Sequence, residues 1–215
     1  SIDTDYVRTH QAFNNLIITT GKSRSSLSLF VDNTTETING IGGITKAIND
    51  LMMQAANRLS EETLTLQVWH QARQQDCDKV QKHYQQHSIE ARVVPFIEDV
   101  KSAYEWADLV ISRAGALTVS EIALAGLPSI LIPYPYAVDN HQFYNGCYLQ
   151  NAGAALVYPQ AQCDADELYK KLKYFSEHRD DLMKMGEMAK KQAKPEALMQ
   201  VVSACDKVLS RQPHG

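Results

Sequence analysis

What this 215-residue chain lacks narrows its function class first. Its four cysteines, Cys77, Cys147, Cys163 and Cys205, stand far apart and form no C-x-x-C pair. A chain of this length needs no covalent staples, so reduced thiols in a cytoplasm are the expectation. No apolar run approaches the ~18 residues of a membrane span, and the N-terminus has no signal-peptide pattern, so the domain is expected to be soluble. Positive charge is not in excess either: 21 Lys and Arg against 25 Asp and Glu leave a net charge of −4. Nucleic acid is therefore not an expected partner. No cluster of His, Cys and carboxylates has metal-ligand spacing, so no metal or other cofactor is expected. An initiator methionine is also missing. The chain opens at Ser1 in a polar segment and reads as a piece of a longer protein.

What is present is an alternation of short β-branched runs and amphipathic segments. Strands are expected at Ser26–Val31, Thr65–His70, Ala91–Phe96, Leu109–Ser112, Ser129–Ile132 and Ala154–Val157. Helices are expected at Thr45–Leu59, Gln71–His87, Asp99–Trp106, from about Thr118 to Gly126, from the Asp139 region to Gly153, and at Asp164–Phe175, Arg179–Gln192 and Glu196–Leu209. This is the pattern of an α/β fold with a doubly wound, Rossmann-like parallel sheet. Residues 1–25 read as a linker or leading segment and 26–215 as one domain.

The stretch Ala107 to Pro135 is a βαβ unit whose loop, Arg113 to Leu117, faces the carboxyl edge of the sheet. Ligands of open parallel sheets sit there, where helix N-termini aim N–H groups at anions. Gly115 and Ala116 allow a phosphate to approach the backbone, and Glu121 has acceptors for a pair of vicinal hydroxyls such as those of a ribose. Thr118 and Glu121 also have the spacing of a capping box, which needs no ligand at all. Gly126 suits the left-handed C-terminal position, and Pro128 stops the helix from resuming.

Three further places carry readings of two kinds. Gly40, Gly42 and Gly43 precede a helix and serve either as a phosphate cradle or as a flexible turn. Phe96 and Ile97 either flank a flat base or plug the end of the sheet. Gln142 and Asn145, at i and i+3, turn two amides to one helix face, an arrangement suited to sugar hydroxyls. Asp139 or Asn140 is a candidate cap for that helix, and His141 reads more readily as a surface residue than as a catalyst.

The run Arg113-Ala114-Gly115-Ala116-Leu117-Thr118-Val119-Ser120-Glu121-Ile122, followed by Ala125-Gly126-Leu127-Pro128, resembles the donor-binding signature of the MurG-type glycosyltransferases. Val94 to Asp99, Ala103-Tyr104-x-x-Ala107-Asp108, Asp139-x-x-Gln142 with Asn145, and Ala152 to Ala155 extend the likeness, which covers about Leu64 to Leu209; Tyr6-Val7-Arg8 is a short echo of an N-P-V-R element. The resemblance implies the C-terminal half of a two-domain GT-B enzyme. Its parent would transfer GlcNAc from UDP-GlcNAc to a lipid-linked N-acetylmuramyl pentapeptide in bacterial peptidoglycan synthesis, with inversion and without a metal. It further implies that Ile97 lies against uracil, that Glu121 holds the ribose, that Arg113 and Gly115 to Thr118 serve the diphosphate, and that Gln142 and Asn145 read the sugar. Acceptor site and catalytic base would belong to the absent N-terminal half, leaving this piece a donor binder with little activity alone. The parent would be cytoplasmic and peripheral on the inner face of the membrane.

One departure stands out. Where the family has a G-G-S-x-G-A loop after the first strand, this chain has Asp32-Asn33-Thr34-Thr35-Glu36, carboxylates that would repel a diphosphate. A degenerate, non-catalytic interaction or regulatory domain is therefore the alternative reading. A sugar-nucleotide epimerase or hydrolase is a third, with Glu98, Asp99 and His141 as its only acid/base candidates.

Overall fold

The central strand β1 (Ser26–Asp32) sends Leu27, Leu29 and Val31 to one apolar cluster and Phe30 to another on the opposite face, as the period-2 alternation of a strand requires. A computed structural model describes residues 26–32, 46–62 and 64–194. The expected elements at Gly40 to Gly43 and Glu196 to Leu209, the leading segment and Cys205 lie outside them.

β1 pairs with β2 (Thr65–Gln71) on one side and β4 (Leu109–Ser112) on the other; β3 (Glu90–Val94), β5 (Ser129–Leu131) and β6 (Ala155–Val157) complete the sheet. All pairings are parallel and the order is β3-β2-β1-β4-β5-β6, so the expected doubly wound sheet is present. β4 and β5 are buried along their whole length, which is why they read as unbroken apolar runs.

One face is covered by α1 (Lys46–Ser60), α2 (Gln74–Gln86) and α6 (Ala165–Glu177), and the other by α3 (Val100–Trp106), α4 (Ala116–Ala125) and α5 (His141–Asn151). α7 (Arg179–Lys191) joins both layers, giving Leu182 to the first cluster and Ala189 to the second. Burying each Leu, Ile or Val of these clusters contributes roughly 1.5–3 kcal/mol. α7 packs on the turn that ends α4. Gly126 there adopts the left-handed φ of 65° foreseen for it, and Lys190 Nζ donates to the Leu124 carbonyl, one of the last acceptors of α4.

Several boundaries differ from the sequence reading by a few residues, and three of the differences bear on the site. α4 starts at Ala116, not Thr118, because Ala116 and Leu117 are strong helix formers and Gly115 takes the extended cap position, φ −60° and ψ 148°. Thr118 is thus the third helical residue and Glu121 the sixth, too far in to close a capping box. β3 ends at Val94, since Pro95 has no N–H for the ladder. Gln71 belongs to β2 rather than to the following helix, paired with Asp32 and Val94.

The end of β2 also carries a buried polar trio. His70 Nε2 lies 2.9 Å from Asn49 Oδ1 and His70 Nδ1 lies 3.0 Å from the Tyr84 hydroxyl, with all three residues at most 2% exposed. An amide oxygen only accepts, so Nε2 carries the proton and Nδ1 accepts from Tyr84. Burial pushes His70 down to about 3, which keeps the ring neutral.

Candidate functional site

Strand order reverses between β1 and β4, and in an open α/β sheet the ligand crevice lies beyond the carboxyl ends at that reversal. The register sets Asp32 of β1 level with Ser112 of β4 and Gln71 of β2 at this edge.

Leaving β4, the chain is held by its own side chains. Ser112 Oγ donates to the Arg113 carbonyl at 2.9 Å, and Arg113 Nη1 donates to the carbonyls of Ile132 and Pro133 at 3.0 and 3.4 Å. Arg113 therefore ties the exit of β4 to the exit of β5. Burial lowers it to about 10, an effect opposed by Tyr134, so it stays cationic at neutral pH. Gly115 offers no side-chain acceptor to the helix that follows. The first N–H groups of α4, on Ala116, Leu117 and Thr118, are thus without a side-chain cap, and the positive end of the helix dipole faces the crevice.

Inside α4, Glu121 is 8% exposed, and the hydroxyl of Tyr104, itself 1% exposed, donates to its Oε2 at 3.1 Å. Tyr104 is set edge-on to Phe30 of β1, with ring centroids 5.3 Å apart. A carboxylate is rarely buried unless hydrogen-bonded, so this one is a built feature of the fold and not a helix cap.

α5 approaches the same loop closely because Gly146 has no side chain. A Cβ there would come within 3.0 Å of Val157 Cγ2 and 3.5 Å of Ala114 Cβ. The approach lets Asn145 Nδ2 donate to the Ala114 carbonyl at 3.1 Å, while Gln142 Oε1 accepts from the Tyr134 N–H at 2.9 Å. Both amides thus face the carboxyl edge, each with one end committed to backbone. The expected cap at Asp139 or Asn140 is not formed. Both residues take positive φ, 52° and 54°, in a tight turn that Asp and Asn tolerate better than other side chains.

At the end of β3, Ile97 is 2% exposed and its N–H donates to Gln71 Oε1 at 3.0 Å, whereas Phe96 is 66% exposed. The burial of the Ile97 side chain fits the plug reading, and Phe96 is exposed apolar surface beside it. Asp99 caps α3 through the Ser102 N–H, and its bonds with Ser102 hold its carboxyl below the usual range. Glu98 and His141 are exposed. Among the described residues, no three His, Cys, Asp or Glu side chains converge as metal ligands do.

Residues 41–201 match the model of the glycosyltransferase family 28 C-terminal domain. The chain belongs to this family. A Coxiella burnetii (strain RSA 331 / Henzerling II) relative, "UDP-N-acetylglucosamine--N-acetylmuramyl-(pentapeptide) pyrophosphoryl-undecaprenol N-acetylglucosamine transferase", is 47% identical over 164 residues, 75% of this chain and 45% of the relative. A relative of the same name from Shewanella baltica is 46% identical over 162 residues, covering 74% of this chain and 44% of its own. The crystal structure of Acinetobacter baumannii MurG superposes with a TM-score of 0.72 at 30% identity, covering 96% of this chain and 54% of that one. This family 28 chain therefore spans less than half the length of the curated relatives it matches.

Of the site residues expected from sequence, the structure brings Arg113, Gly115, Ala116, Leu117, Thr118, Glu121, Gln142 and Asn145 to one edge of the family 28 fold, with Ile97 buried beside it. Gly40, Gly42 and Gly43 lie outside the described residues. Two residues of this edge had no assigned role in the sequence reading. Tyr104 stands 17 residues from Glu121 and Gln71 stands 26 from Ile97, so no local spacing connects either pair.

Proposed function

We propose that this chain is the nucleotide-sugar-binding half of a two-domain GT-B transferase whose donor is UDP-GlcNAc. The observation that carries the reading is a buried, hydrogen-bonded carboxylate, Glu121, on the helix whose uncapped start faces the switch-point crevice. An anion site beside a diol acceptor suits a nucleoside diphosphate. The Gln142 and Asn145 amides, across the same edge on α5, suit the sugar.

In the parent protein, a hydroxyl of the lipid-linked N-acetylmuramyl pentapeptide attacks the anomeric carbon of GlcNAc. The bond to the diphosphate breaks on the opposite face, inverting that carbon. UDP departs with the bonding pair, and the hydroxyl proton passes to a base in the other half. This chain's share is to hold the donor and to place the α4 N-terminus where negative charge develops, a stabilisation that requires no metal ion. Its lipid acceptor would make the parent peripheral on the inner face of the cell membrane. No helix among the described residues is long and apolar enough to cross it.

Calorimetric titration with UDP-GlcNAc and UDP-GalNAc, with and without magnesium, tests this. Saturable, magnesium-independent binding that prefers UDP-GlcNAc and is lost in Glu121→Ala is the expected result. A folded chain that ignores millimolar UDP-GlcNAc would refute it. That outcome would favour the second reading, a paralogue without a working donor site, for which Asp32 at the very edge of the crevice speaks. Restoring a G-G-S-x-G-A loop from position 32 onward would then recover binding.

A further inference from the structure

We propose that Tyr104 is a positioning residue that sets how the site discriminates ribose from deoxyribose. The inference rests on the reading of Glu121 as the group that holds the ribose diol. By that reading Glu121 reaches the crevice from inside α4, and the outer torsion of a glutamate is broad and roughly two-fold, so packing alone does not fix the plane of its carboxylate. A diol held by two hydrogen bonds needs that plane fixed, because both bonds depend on angle as well as distance.

Tyr104 supplies the constraint. Its hydroxyl donates to Glu121 Oε2 at 3.1 Å between two residues that are 1% and 8% exposed, and its ring is held edge-on against Phe30 at 5.3 Å. Phe30 lies in β1 and Tyr104 in α3, so the carboxylate of α4 is referenced through one hydroxyl to the central strand of the sheet. A carboxylate has acceptor sites for about four hydrogen bonds, and a bond from Tyr104 does not exclude a diol.

Tyr104→Phe removes one oxygen and keeps the ring that packs on Phe30. The experiment titrates the wild-type chain, Tyr104→Phe and Glu121→Gln with UDP and with 2′-deoxyUDP, and records a thermal midpoint for each. Wild type is expected to prefer UDP. Tyr104→Phe is expected to weaken UDP about tenfold, the scale of a lost hydrogen bond to a charged group, and 2′-deoxyUDP by less than about twofold. The preference then collapses while the fold persists. A merely structural tyrosine gives a different pattern, in which both nucleotides weaken together or neither does, and either result overturns the proposal. If wild type fails to discriminate the two nucleotides, the ribose-holding role of Glu121 falls and this inference falls with it. If wild type discriminates and Tyr104→Phe discriminates equally, the inference alone fails.

Discussion

Gly186 of α7 lies against Gly126 so tightly that a Cβ added to it would sit 2.7 Å from the Gly126 carbonyl oxygen. The obstacle is backbone, which cannot swing away as a side-chain tip does. Gly186→Ala is therefore expected to destabilise the fold although alanine is the better helix former. Overpacking of about 1–3 kcal/mol opposes a propensity gain of about 1 kcal/mol. A thermal midpoint lower by a few degrees is the expected result, and an unchanged or raised midpoint would show that α7 can retreat from α4 at no cost.

The mouth of the crevice depends on Gln71. Gln71→Leu leaves the buried Ile97 N–H without its acceptor, at a cost of about 1–3 kcal/mol. Hydrogen exchange at the Ile97 amide should accelerate while amides of β1 and β4 keep their protection. Uniform acceleration across the sheet would mean that Gln71 supports the whole fold and not this loop in particular.

The trio at the end of β2 predicts an acid-sensitive fold. His70 is held neutral, lowered from 6.5 to about 3, so the unfolded chain takes up a proton that the folded chain refuses. Its contribution is complete above pH 6.5 and is lost as the pH falls toward 3, with a slope of at most about 1.4 kcal/mol per pH unit. Urea unfolding at pH 7.0, 6.0 and 5.0 should trace this loss in wild type, and a shallower slope in His70→Gln. Parallel curves for the two chains would assign the acid sensitivity to other groups.

Asn145→Asp sets a carboxylate oxygen opposite the Ala114 carbonyl that Asn145 now serves as donor. Loss of that bond, about 1–3 kcal/mol, should loosen α5 from the β4 loop. UDP-GlcNAc is then expected to lose at least tenfold more affinity than UDP, which has no GlcNAc to be read and feels only the added charge beside the Arg113–Thr118 loop. Equal losses for both ligands would place the defect in the nucleotide half of the site.

Much of the site was legible because its cues are local. Leu109 to Ser112 read as a buried strand since nothing in it alternates, and Gly126 with Pro128 marked the end of α4 through backbone chemistry carried by those two residues alone. The start of α4 was misplaced because Thr118 and Glu121 satisfy a local rule that tertiary burial overrides. Glu121 leaves the cap for Tyr104, a partner on another helix. The rotation of the amides was legible as a shared face, but not that Gln142 and Asn145 each give one end to backbone at Tyr134 and Ala114. Those contacts exist only once Gly146 has let α5 come close.

The junction of β1 and β4 has a consequence for the order of events as the chain folds. Ser28 and Asp108 meet across a sequence separation of 80, Asp108 Oδ2 accepting from the Ser28 N–H at 2.8 Å. Closing so long an excursion is slow, and the crevice does not exist before it closes. By the proposed reading, a nucleotide lodged there would recognise only chains that have completed the search. Ligand added during refolding should raise the final yield through mass action without hastening the early pairing of β1 with β2.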